Sequence, residues 1–215
     1  VKRLALDLDG TLISCEPRQS AVLRAVSAPH PVNVPPDTVW SLKRDGLNTR
    51  DALIQTGIDP TLATCIAHDW QRQIEDPVWL GLDTVLPGVE STLARWKQLG
   101  WQLVVLTARS RREWVRPQTT RLGLDRWIDA VEVVPPGDAA AHKAAFLRQH
   151  EFIGFIGDTE SDHAAAATAG IPFIGVASGQ RSLQHLRRCG LRDVVTDVAA
   201  AAERWPTMFI GANPA

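Results

Sequence analysis

The chain has no tyrosine, one methionine and only three cysteines in its 215 residues. Cys15, Cys65 and Cys189 stand far apart, with neither a CxxC pair nor a Cys/His ligand spacing. That argues against a disulfide framework and a cysteine-built zinc site, and suits a reducing compartment. No apolar run reaches the roughly 18 residues of a membrane span. The opening stretch VKRLALDLDG is broken by acids within a few residues, so neither a secretory leader nor a membrane anchor is expected. Neither charge dominates: 23 lysines and arginines against 24 aspartates and glutamates leave a formal net charge of −1. A broad basic face for nucleic acid is therefore not expected, though a local anion pocket remains open. What is there, 45% hydrophobic and 22% charged residues, is the make-up of a globular cytoplasmic protein with one core and at most a modest insertion. The eight tryptophans read as packing residues.

Short, nearly continuous apolar runs recur at Leu4–Leu8, Gln102–Leu106, Ala130–Val134, Phe152–Ile156, Phe173–Ala177 and Asp193–Thr196. Runs of this kind suit a parallel sheet buried on both faces. Helical patterns lie between them: Val89–Leu99 after Pro87-Gly88, a helix capped by Asp138 and running to His150, and Ser161–Ala169 stopping at Gly170. Pro117 should kink or start a helix. The alternation predicts an α/β fold, a doubly wound parallel-sheet core. Residues 15–85 break the rhythm, with four helical patterns punctuated by prolines and no comparable strand. They read as a helical cap inserted into a core made of residues 1–14 and 86–215.

Chemistry-bearing residues gather at the ends of the apolar runs. Asp7 and Asp9 close the first, and alternation puts them on one side, with Gly10 opening a loop whose N–H groups can approach an anion. Neighbouring carboxylates raise one another's proton affinity, so one can act as nucleophile while the other carries a proton. Thr107, Ala108 and Arg109 end another run, and Lys143 follows the Pro135-Pro136-Gly137 loop. Asp158 and Asp162, in GDTESD, lie at a strand tip and in the first turn of a helix, where hard oxygen ligands suit Mg²⁺.

In this order, DLDGT, the threonine of LTA, the lysine and GDxxxD, the sequence resembles the haloacid dehalogenase-like (HAD) superfamily, and the inserted helices resemble its C1-type cap in a phosphatase-like subgroup. The resemblance implies that Asp7 attacks phosphorus to give an aspartyl-phosphate. It implies that Asp9 protonates the leaving oxygen and then deprotonates water, while Thr107 and Lys143 bind the phosphoryl group. Mg²⁺ would be held by Asp7, the backbone carbonyl of Asp9 and Asp158, with Asp162 as the second acid of its motif. Relatives often read DGTLxDS, whereas Ser14 stands here in place of that acid.

The expected reaction is hydrolysis of a small phosphorylated metabolite. A sugar-phosphate mutase and a catalytically silent phosphate-binding module are the alternatives, and Asp9 disfavours a dehalogenase. Leu8, Ala108 and Arg109 are the core candidates for substrate contact, and Lys43, Asn48 and Arg50, in the stretch KRDGLNTRD, are the cap candidates. Arg18, Arg44, Thr49 and His68 are further polar cap residues within reach of such a role.

Overall fold

Each apolar run becomes a strand because its residues can be buried alternately on two faces of one sheet. In this computed structural model, which describes residues 2–209, six parallel strands follow the order β5-β4-β1-β6-β7-β8. They are β1 (Arg3–Leu6), β4 (Gln102–Ala108), β5 (Ala130–Val134), β6 (Gly154–Gly157), β7 (Phe173–Val176) and β8 (Val194–Val195). Leu4 and Leu6 turn to one face with Leu103, Val105 and Ile156, under α6 (Val89–Gln98) and α11 (Val198–Phe209). Ala5 turns to the other with Val104, Leu106 and Phe155, under α8 (Ala139–Gln149) and α9 (Glu160–Ala169). This is the doubly wound α/β sheet that the runs predict.

Strand ends differ from expectation by a residue or two. β1 stops at Leu6, because Leu8 Oxygen accepts from both Leu12 and Ile13 N–H (2.9 and 3.1 Å) and the chain turns at Gly10, φ +82°. Pro117 stands at the start of a helix, in the first turn of α7 (Val115–Arg121), where its missing N–H would have no partner within the helix.

Five helices occupy the inserted stretch: α1 (Glu16–Ser27), α2 (Pro36–Arg44), α3 (Thr49–Gln55), α4 (Pro60–Gln73) and α5 (Pro77–Leu80). They enclose an apolar cluster separate from the two around the sheet, built on Val22, Leu23, Val39, Leu53, Ala63 and Ile66. Where the chain leaves and returns, β2 (Ile13–Ser14) pairs antiparallel with β3 (Thr84–Val85). No strand was expected in either place.

Candidate active site

The carboxyl ends of β1, β4, β6 and β7 share one edge of the sheet, with β1 central and the chain running outward from it in both directions. Ligands of such sheets sit at that edge, near the strand where the order reverses. Asp7 follows β1 and is nearly fully buried. Its Oδ1 accepts from Lys143 Nζ at 2.6 Å, and the same ammonium donates to Asp162 Oδ1 at 2.6 Å. Lys143 projects from α8 and is itself buried. Desolvation disfavours its charge, but Asp162 and Asp7 outweigh that and raise its pKa. Thr107, in β4, is buried at the same edge.

Asp158 follows β6 and has no exposed surface. Its Oδ2 accepts from Gln180 N–H at 2.5 Å, while Oδ1 is buried without a hydrogen-bond partner. Gly10 and Gly179 pack so tightly beside it that a Cβ on either would stand 2.1 Å from Oδ2. Asp7, Asp158 and Asp162 bring one carboxylate oxygen each within 4.8 Å of the others. Burial, then Lys143 in opposition and Asp162 in support, leaves the Asp7 carboxyl pushed up to about 7. Burial and the neighbouring Asp7 and Asp162 push Asp158 well above the usual carboxylate range. Three buried acids against one lysine leave negative charge uncompensated, and an orphaned carboxylate oxygen faces it. A hard cation with oxygen ligands fits that donor set. Asp162 is less available, since Oδ1 takes Lys143 and Oδ2 closes the capping box of α9 with the Thr159 N–H and hydroxyl (3.1 and 2.7 Å).

The Asp9 side chain does not join this cluster. Residues 7 and 9 lie past the end of β1, so strand alternation no longer governs them, and their carboxylates take different partners. Arg109 forks onto Asp9 with Nε and Nη2 at 2.6 and 2.8 Å, and Arg18 from α1 donates to the same carboxylate through Nη2. Burial alone would raise the Asp9 carboxyl; Arg109 and Arg18 outweigh it and hold it below its ordinary value. Arg18 continues to Asp83 through Nε at 3.1 Å, Gln118 donates to Asp83 at 2.6 Å, and Arg109 approaches Gln118 Oε1 at 3.4 Å. The ring Asp9–Arg18–Asp83–Gln118–Arg109 is closed and buried. Asp83 and Gln118 carried no sequence signal. Nothing in a loop acid or a helix glutamine marks a partner 65 or 35 residues away.

A cleft of about 640 Å³ opens between the inserted helices and the sheet edge, lined by Asp9, Arg18, Ala108, Arg109, Asn48 and Arg50 among others. Of the expected contact residues, Ala108, Arg109, Asn48 and Arg50 therefore face it. Asn48 and Arg50 are already engaged within the inserted helices, Asn48 capping α3 through the Asp51 N–H and Arg50 reaching across to α4, where it donates to Thr64 Oγ1 at 2.9 Å. Leu8 turns its side chain into the core. Lys43 points inward, donating to Gln19 Oε1 at 2.5 Å with its ammonium 4.0 Å from the centre of the Trp70 ring. His68 is exposed on α4 at the cleft wall.

Residues 1–170 match the family model of haloacid dehalogenase-like hydrolases, and residues 138–203 match a second model of HAD-like hydrolases. No curated protein matches the chain. Among solved structures, a predicted phosphatase from Clostridium acetobutylicum superposes with a TM-score of 0.74 at 19% identity, covering 96% of this chain and 98% of that one. A haloacid dehalogenase-like hydrolase from Streptococcus pneumoniae gives 0.76 at 15% identity, covering 95% and 98%. A β-phosphoglucomutase-like protein from Thermotoga maritima gives 0.61 at 18% identity, covering 99% and 100%. At these identities the structures establish a shared fold, and the family match spans most of the sequence. The chain belongs to the haloacid dehalogenase-like hydrolases.

Proposed function

We propose that the protein is a Mg²⁺-dependent phosphatase that hydrolyses a small phosphorylated metabolite through an aspartyl-phosphate on Asp7. The observation that carries the reading is the meeting of Asp7, Asp158 and Asp162 around Lys143 at the sheet edge, with Asp158 Oδ1 left without a partner. Phosphoryl transfer asks mainly for positioning and charge neutralisation. A nucleophile fixed by one lysine, with Thr107 buried at the same sheet edge, supplies the first. Mg²⁺ held by Asp7, the Asp9 carbonyl and Asp158 would neutralise charge on the phosphoryl oxygens. In this reading Asp162 fixes Lys143.

Asp7 attacks phosphorus through a carboxylate oxygen as the leaving oxygen departs with a proton from Asp9. Water then hydrolyses the acyl phosphate, releasing phosphate and the Asp7 carboxylate and giving its proton to Asp9. The paired arginines hold Asp9 as a carboxylate, the form that accepts that proton. An arriving phosphate dianion attracts the same two guanidiniums, and drawing them off lets Asp9 carry the proton needed for the first step. Residues 15–85 act as the cap, residues 1–14 and 86–215 as the core, and the metabolite binds in the cleft between them. Among the described residues no helix is long and apolar enough to cross a membrane, and we read the enzyme as cytoplasmic.

The resemblance to the Thermotoga maritima protein favours one second reading, a sugar-phosphate mutase. Measuring phosphate release beside isomerisation of a sugar phosphate separates them. The Asp7→Asn variant tests both, because the amide keeps the shape and loses the nucleophile. Phosphate release should fall below roughly a thousandth of the parent rate in a folded protein, and normal turnover by that variant would sink the mechanism.

A further inference from the structure

The loop after β7 is gripped from two sides. On the core side, Gln180 N–H donates to Asp158 Oδ2 at 2.5 Å and Ser178 Oγ to the Gly10 carbonyl at 2.7 Å. On the cap side, the carbonyls at the C-terminal end of α2 reach outward, as the last carbonyls of a helix must. The Arg44 carbonyl accepts from Ser182 N–H at 2.8 Å, Arg44 Nη2 returns a bond to the Ala177 carbonyl at 2.8 Å, and Ser182 Oγ meets Asp45 Oδ1 at 3.1 Å. Arg181 joins the sides. Its Nη1 donates to the Lys43 carbonyl at 2.8 Å, while Nε and Nη2 fork onto Glu160 at 2.8 and 2.9 Å. Glu160 lies two residues beyond Asp158 and opens α9. Gly46, at φ +108°, lets the chain lie against the His185 ring, which a Cβ would meet at 2.2 Å.

We propose that residues 177–182 form a strap that makes cation binding and cap docking one coupled event, with Arg181 as its positioning residue and Arg44 as its anchor on the cap. This rests on the reading of Asp7 and Asp158 as cation ligands. The physical link is short. The Gln180 N–H fixes one oxygen of Asp158 and so leaves the other for the cation, and donors that orient a ligand govern affinity. That N–H is held in place by Ser182 and Arg181, whose own partners are cap carbonyls. Undocking α2 breaks four cap–strap bonds and releases the donor from its setting. By reciprocity, a bound cation stabilises the docked cap by the factor by which docking tightens the cation.

Mn²⁺ titration of the full chain, followed by electron paramagnetic resonance without substrate, reads this directly. Arg181→Ala should weaken Mn²⁺ binding by roughly ten- to a hundredfold, with Arg181→Lys recovering part of the loss. Arg44→Ala, which touches no core acid, should weaken it by roughly fivefold or more. Small-angle scattering should show added Mg²⁺ compacting the parent protein and not Arg44→Ala, with thermal unfolding confirming that each variant is folded. Loss in Arg181→Ala alone would trace the effect to Glu160 and overturn the link to the cap. Unchanged binding in both variants, while Asp158→Asn binds weakly, would overturn the coupling and spare the cation site. Unchanged binding in Asp158→Asn would remove the cation site itself.

Discussion

Lys43 keeps 7% of its surface in water, and among the described residues no carboxylate comes within ion-pairing reach of it. Gln19 Oε1 from α1 accepts a hydrogen bond from it, the Trp70 ring from α4 covers its ammonium, and the Cys15 thiol, Arg18 and Arg181 are the titratable groups around it. Burial first, then Arg181 and Arg18, push it down to about 7 from 10.5, against the opposing pull of Cys15. Between those two values the unfolded chain holds a proton that the folded chain has released, so stability rises with pH across that window. Below about 7 the cost of the buried charge is present in full. Lys43→Met should therefore stabilise the protein by on the order of a few kcal/mol at pH 6.5, and by much less at about pH 10. Urea unfolding at the two pH values checks it, and an equal gain at both would show that charge is not the cause. A residue kept at such a cost is a reason to assay the same variant for substrate discrimination.

Whether a residue's position could be read from the sequence depended on what preceded it. Asp7, Thr107 and Asp158 each end an apolar run, and a run announces its own terminus. Lys143 could be placed because Asp138 caps its helix from outside, at φ +52°. Arg181, Asp83 and Gln118 follow no such run, and what defines them is a partner far off in the chain.

Among the elements, α9 shows local sequence and site geometry serving together. Thr159 and Asp162 cap each other, and the carboxylate that closes the box also holds Lys143. Thr159→Ala should cost about 1 kcal/mol of stability, the usual worth of an N-cap, in denaturant unfolding. It should also loosen Asp162, and so reduce kcat more than it raises KM. A purely structural cap would lower stability and leave both constants alone. The helices and strands were legible because their periodicity is repeated over many residues. β2 and β3 were not: they are two residues each, as β8 is, but they pair with one another outside the parallel sheet, where no strand was expected. Of the cap helices, α2 and α4 could be placed, with Pro36 and Pro60 in their first turns, whereas α5, four residues long behind Pro77, was not expected. Their packing against the strap rests on carbonyls, which every residue has and no sequence distinguishes.

At the scale of the whole molecule, the function proposed above would divide labour across the cleft, with chemistry at the sheet edge and selection by the inserted helices. Arg50 lies on the cap wall of the cleft, exposed and bonded to Thr64 and Asp51. Arg50→Ala should leave kcat/KM for p-nitrophenyl phosphate within about tenfold, a change of roughly 1.4 kcal/mol, while shifting the ranking of natural phosphate esters. Equal losses on all esters would mean that Arg50 supports the fold of the cap and reads nothing.

The pairing of Ser14 with Thr84 and of Ile13 with Val85 has a consequence for how such a chain diversifies. It places the two ends of everything between them on neighbouring strands, so that the intervening helices are, topologically, the loop of a hairpin. The entropy of closing a loop grows only with the logarithm of its length, so a hairpin tolerates a long loop almost as readily as a short one. At that junction whole domains can be lengthened, shortened or exchanged without disturbing the register of the parallel sheet behind it. A tight Asn-Gly turn joining Ser14 to Thr84 would be the minimal member of the series, and a cap transplanted from a relative the next. The ribbon is a socket, and the inserted helices are the part that plugs into it.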